Sequence, residues 1–258
     1  MTIPFLAFLT WSTSLLSGIF GMAGGIVLMG FLTQGFSPVQ AILLHGIIQG
    51  FANFHRSYEF RHGIDWKGVG RYAFGAATAY FIMRWVSFVP DKKLLYLILG
   101  FVALAGAWDF FPKMLGFERP FGAVLCGLFV SLFQLLAGVA GPLLDLFFRD
   151  RKIPKEKVVG TKSATQVISH GLKVGLMVEF SYRGISGASD ILPLDGNFIG
   201  LAIALLASAL GTWMGKQVLI RMKQEVFYAW TGRILAVIGV FYIGKATLLY
   251  REAMNGLF

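Results

Sequence analysis

The sequence predicts an all-α polytopic integral membrane protein made of two repeats of four hydrophobic segments each. Composition is the first reason: 56% of the 258 residues are hydrophobic and only 14% are charged, with a mean hydropathy of +0.69, outside the range of soluble domains. The second is segment length. Apolar stretches able to enter or cross a bilayer run from 3 to 33, 38 to 55, 66 to 88, 93 to 111, 120 to 148, 157 to 177, 196 to 219 and 225 to 249. The third is an internal offset of 117 residues, which lays Gly21, Ala23 and Gly24 on Gly138, Ala140 and Gly141, and Phe31 on Phe148.

In chain order, the stretch from 3 to 33 begins with neither the basic leader nor the short apolar run of a cleaved signal, so it is expected to be the first membrane segment. It exceeds the roughly 20 residues of a straight span and carries FGMAGG past its middle, so a break is expected there. The second stretch holds AILLHGIIQGFANFHR, and the third and fourth close the first repeat near Phe117. The fifth, 120 to 148, repeats the first, with its break at AGVAGP. Pro142 suits the first turn of the half-helix that follows, where a missing N–H costs nothing. The sixth carries GTKSATQVISHGLK, and the seventh and eighth complete the second repeat. The repeats are thus 1–117 and 118–258, together one transport domain. YEFRHGI against VEFSYRGI, and Gly100 against Gly232, extend the match with small shifts.

Lysine and arginine placement separates two topologies. If both broken segments cross the membrane, alternate loops hold 11 against eight cations; if both fold back as re-entrant hairpins, one side collects 13 against six. The second split is the better positive-inside pattern, and it leaves three spans per half, which makes the repeats inverted as in many secondary transporters. The basic side is then cytoplasmic and both termini face outward.

Lys162, Gln166, His170 and Lys173 are spaced by four, four and three residues, so they share one helix face; His45, Gln49, Asn53 and Arg56 repeat that spacing. Such faces are expensive in lipid, and two of them imply one two-sided site. At each Gly motif the break frees backbone N–H groups, and the half-helix that follows aims its positive end at the membrane interior, where it attracts an anion. The candidate binding set is Gly24, Gly25, His45, Gln49, Asn53, Gly141, Pro142, Lys162, Ser163, Gln166 and His170, with Arg56 and Lys173 in second rank. Plainer roles compete with each. The glycines could serve only close packing. Lys162 could snorkel from its helix start, the glutamines could bridge helices, and the histidines could be packing residues, anion donors or proton carriers. Arg56 and Lys173 could be interfacial anchors, and Asp145 could neutralise Lys162 or face the loop. Arg71, Arg84, Arg233 and Lys245 read as snorkelling or interhelical charges.

The net charge of +10 on so hydrophobic a chain reports basic cytoplasmic loops rather than nucleic-acid binding. Cys126 is the single cysteine, so no disulfide framework or cysteine metal site is available. No metal-ligand spacing, Walker loop, Gly-x-Ser-x-Gly elbow or Ser/His/Asp set is present, so neither an enzyme nor an ATP-driven pump is expected, and no cofactor is called for.

With the duplication and both Gly motifs in hand, the chain resembles the TauE/SafE family of bacterial membrane permeases, the sulfite exporters. The resemblance rests on an early GMAGG, on GVAGPLL before a basic loop and, most specifically, on VVGTKSATQVISHGLK. It implies a multi-pass protein of the bacterial inner membrane that moves sulfite, organosulfonates or related carboxylates. The expected function is secondary transport, with the small anion held by Gly24, Gly25 and Gly141 backbone donors and countered by Lys162, possible coupling to protons or ions, and the lipid bilayer as its surroundings. An anion channel and a non-transporting membrane assembly protein are the alternatives.

Overall fold

A computed structural model describes residues 2–21, 23–107, 116–148, 153–185 and 198–255. Among them are ten α-helices and no strand: α1 (Ile3–Phe20), α2 (Ala23–Gly35), α3 (Pro38–Glu59), α4 (Trp66–Val86), α5 (Lys92–Ala107), α6 (Pro120–Ala137), α7 (Gly141–Phe147), α8 (Lys155–Tyr182), α9 (Phe198–Arg221) and α10 (Gln224–Asn255). By length and composition, α1, α6, α9 and α10 can each cross a membrane. The last residues of the stretch expected to end at 111, and the first of that expected to start at 196, lie outside the described residues.

Local chemistry sets the boundaries. Proline stands in the first turn of α1, α3 and α6, where no intrahelical donor is lost. Ser37 and Gln40 close a reciprocal capping box on α3, and Asp65 accepts from the Gly68 N–H to start α4. The two Gly motifs act as breaks. Gly21 has φ +81° and Gly138 φ +77°, backbone states that favour glycine, and each ends its helix.

After each break the chain doubles back. The Phe5 ring near the start of α1 lies 6.5 Å from the Phe31 ring near the end of α2, and a Cβ on Gly24 would collide with the Thr13 carbonyl. In the second half the Phe117 N–H donates to the Phe147 carbonyl at 2.9 Å, and the Phe117 and Phe148 rings stack at 4.4 Å, which brings the approach to α6 against the end of α7.

Close contacts across helices fix their directions. Gly46 faces Lys173, Gly50 faces His170 and Gly63 faces Lys157, so α3 and α8 run antiparallel. Gly100 against Ile243 and Leu104 against Gly239 make α5 and α10 antiparallel as well. The α1–α9 pair is parallel: Ser14 hydrogen-bonds Ser208 at 2.9 Å, and Gly18 meets Gly215 backbone to backbone. Its counterpart, α4–α6, is equally tight. Two interhelical ion pairs tie the ends of the central helices, Glu59 of α3 to Lys216 of α9, and Glu179 of α8 to Arg84 of α4 at 2.8 Å.

A buried polar ladder between α3 and α8

All nine polar residues singled out on α3 and α8 are at most 5% exposed. They are therefore turned to the protein interior. Antiparallel packing sets the two stripes side by side in reverse order: His45 bonds Lys173, Gly50 meets His170 and Gly63 meets Lys157, a register that carries Asn53 and Arg56 toward the turn of α8 that holds Gln166 and Ser163. The His45 and His170 rings stand 5.6 Å apart at the middle.

At one end a chain of hydrogen bonds joins both hairpins. The Lys173 ammonium donates to the Gly138 carbonyl and to His45 Nδ1, each at 2.8 Å, and His45 Nε2 lies 2.9 Å from the Gly25 carbonyl. A carbonyl only accepts, so Nε2 carries the proton and Nδ1 is the acceptor: His45 is the neutral Nε2–H tautomer. Gln134 fixes its neighbour in the same way. Its Oε1 accepts the Ala140 N–H at 2.9 Å, which turns its Nε2 to donate to His170 Nδ1 at 3.0 Å and leaves His170 Nε2 protonated.

Elsewhere the ladder keeps unspent donors. Among the described residues, Gln49 Nε2, Gln166 Nε2, Ser163 Oγ and two nitrogens of Arg56 are buried without a partner. Gly25 lies against this region, since a Cβ there would stand 3.5 Å from His45 Nε2 and 3.6 Å from Gln49 Oε1.

Several sequence candidates occupy other places. The Gly24 Cα is spent on packing against α1, and Pro142 is pressed against Gly106 of α5. Lys162 does not snorkel: it is buried and ion-paired with Asp145, which settles the role left open for that carboxylate. Arg56 and Lys173, which sequence position had suggested as interfacial anchors, are 2% and 0% exposed and belong to the ladder itself. The helix after the second break, α7, has only seven residues, and the amide freed at Ala140 is taken by Gln134. Gln134 itself escaped the sequence reading because its 117-residue counterpart is Ser17 and no pattern marks it. Also missed was a hydroxyl cluster beside the ladder, where Ser169 Oγ lies 2.7 Å from the Tyr72 hydroxyl and 2.8 Å from Ser131 Oγ.

Long apolar helices around an internal polar interface define an all-α, multi-pass membrane protein, with the polar groups of that interface turned away from lipid. The chain belongs to the TauE/SafE sulfite exporter family, whose model matches residues 6–242. Comparison with curated proteins and with solved structures finds no match. The family consists of membrane transporters of sulfur-related anions, and this chain is one of them.

Proposed function

We propose that this chain is a secondary transporter that exports a small sulfur-containing oxyanion, such as sulfite or an organosulfonate, across the bacterial inner membrane. The observation that carries the reading is the pair of buried, unpartnered amide nitrogens Gln49 Nε2 and Gln166 Nε2, at matched positions on the two central helices. A buried donor left unpaired costs about 1–3 kcal/mol, and an oxyanion offers only acceptors in return. The Gly25 backbone beside Gln49, His45 and His170 complete the surroundings of the ligand.

The antiparallel α3–α8 and α5–α10 pairs support inverted repeats. Were each hairpin to cross the bilayer, both pairs would run parallel. The hairpins α1–α2 and α6–α7 are accordingly read as re-entrant, and the repeats, 1–117 and 118–258, as rocking about the α3–α8 interface to give alternating access. His45 and His170 are the candidates for any coupled proton.

Purified protein in liposomes loaded with labelled sulfite or an alkyl sulfonate tests the reading. Efflux should saturate with concentration and follow an imposed ion or proton gradient. Flux that rises linearly without saturation means a channel, and absence of flux for every labelled anion means an assembly role; either result overturns secondary transport.

A further inference from the structure

The two lysines of the ladder already have partners: Lys162 is paired with Asp145, and Lys173 is held by His45 and Gly138. Arg56 differs from both. It is 2% exposed, no carboxylate pairs with it among the described residues, and its one hydrogen bond runs from Nη1 to Asn53 Oδ1 at 3.1 Å. Nε and Nη2 have no partner among the described residues. These two nitrogens form one edge of the guanidinium, with their N–H bonds parallel and in plane, and that edge is the fork that fits two oxygens carried on one atom. The α3–α8 register sets Ser163 and Gln166 across from it, and both also have unpartnered side-chain atoms.

We propose that Arg56 is the charge partner of the transported anion, its Nε–Nη2 edge taking two oxygens of a single sulfite, sulfonate or carboxylate group between α3 and α8. The proposal rests on the oxyanion-transport reading above and narrows it. Asn53, by holding Nη1 from behind, turns the open edge away from its own helix turn, and so positions the fork. A sulfur oxyanion has a third oxygen, which suits the Gln166 amide or the Ser163 hydroxyl. A halide has one acceptor point and cannot engage both N–H groups linearly. The site is thus selective by geometry as well as by charge: Arg56 demands at least two oxygens on one sulfur or carbon.

Calorimetric titration of the purified protein in detergent with sulfite, an alkyl sulfonate, acetate and chloride tests this. The sulfur oxyanions should bind at least about tenfold more tightly than chloride, and Arg56→Lys, which keeps the charge and loses the fork, should weaken them by about tenfold or more. Arg56→Met should abolish binding yet leave thermal unfolding without ligand unchanged or raised, because it removes an unpaired buried cation. Should the Met variant fail to fold, the Lys variant still decides. Wild-type affinity in Arg56→Lys, or chloride binding as tight as sulfonate, overturns the proposal. If sulfite binds and no Arg56 variant alters it, the fork fails while the transport reading stands. If acetate binds through Arg56 and no sulfur anion binds, the fork stands and the sulfur reading fails. Absence of binding by any oxyanion overturns both.

Discussion

Gln49 and Gln166 are ordinary polar side chains made unusual by burial: each is at most 3% exposed, and each has an amide nitrogen without a partner among the described residues. If one oxyanion joins them, removing either amide leaves the other to hold the ligand. Each Gln→Ala change should weaken sulfite binding by about 1–3 kcal/mol. The double variant should depart from the sum of the singles by more than about 0.5 kcal/mol. Binding losses that add strictly would show that the two amides serve separate roles. His45 illustrates the opposite condition, since both ring nitrogens are spent, one accepting from Lys173 and one donating to Gly25. Its neutral tautomer follows from its partners alone, and it links Gly25, in the first turn of α2, to the second break at Gly138 through a single lysine.

At the scale of elements, the membrane removes the hydrophobic reason for helices to associate, so close backbone contact must replace it. A Cβ on Gly127 of α6 would stand 2.0 Å from the Tyr72 carbonyl of α4, and one on Gly75 would stand 2.1 Å from the Val124 carbonyl. Even alanine forces these helices apart. Gly127→Ala should therefore destabilise the protein by about 1–3 kcal/mol, the usual cost of overpacking. Gly171 of α8 is a control in the same fold, because a Cβ there meets nothing within 4 Å. Gly171→Ala should be neutral or gain up to about 1 kcal/mol from helix propensity. Thermal unfolding in detergent distinguishes them, and equal melting temperatures for the two variants would contradict this account of the α4–α6 contact.

For the whole molecule, the directions of paired helices carry the topology. The close contacts make α3 and α8 antiparallel, the arrangement that the proposed re-entrant hairpins require. Under that proposal the loop at Arg61 is cytoplasmic and that at Asp91 is outside, while Lys223 shares the side of Arg61. Native Cys126 is buried, so cysteines introduced at these exposed positions report without background. An impermeant thiol reagent added to whole cells should label Asp91→Cys and spare Arg61→Cys and Lys223→Cys. Labelling of Arg61→Cys by that reagent rejects the inverted arrangement. The ion pairs Glu59–Lys216 and Glu179–Arg84 fit the same view, each fastening a central helix to the third hydrophobic segment of the opposite repeat.

The sequence by itself determined the class of protein, the place of both helix breaks and the membership of the two polar stripes. Each of these depends on residues within a turn or two of one another, where a period of 3.6, a glycine with positive φ or a run of apolar side chains is enough. Tertiary structure decided which polar group meets which. Lys173 is 128 residues from His45 and 35 from Gly138, and no local pattern announces either bond. Lys162 looked like the free charge from its stripe, but the second fold-back delivers Asp145 to it, while Lys173 lies inside α8 and Arg56, although in the last turn of α3, is buried at 2% exposure instead of reaching the interface. Whether a buried charge is neutralised or left open for a ligand depends on what the other repeat brings across the interface, and helical periodicity carries no information about that.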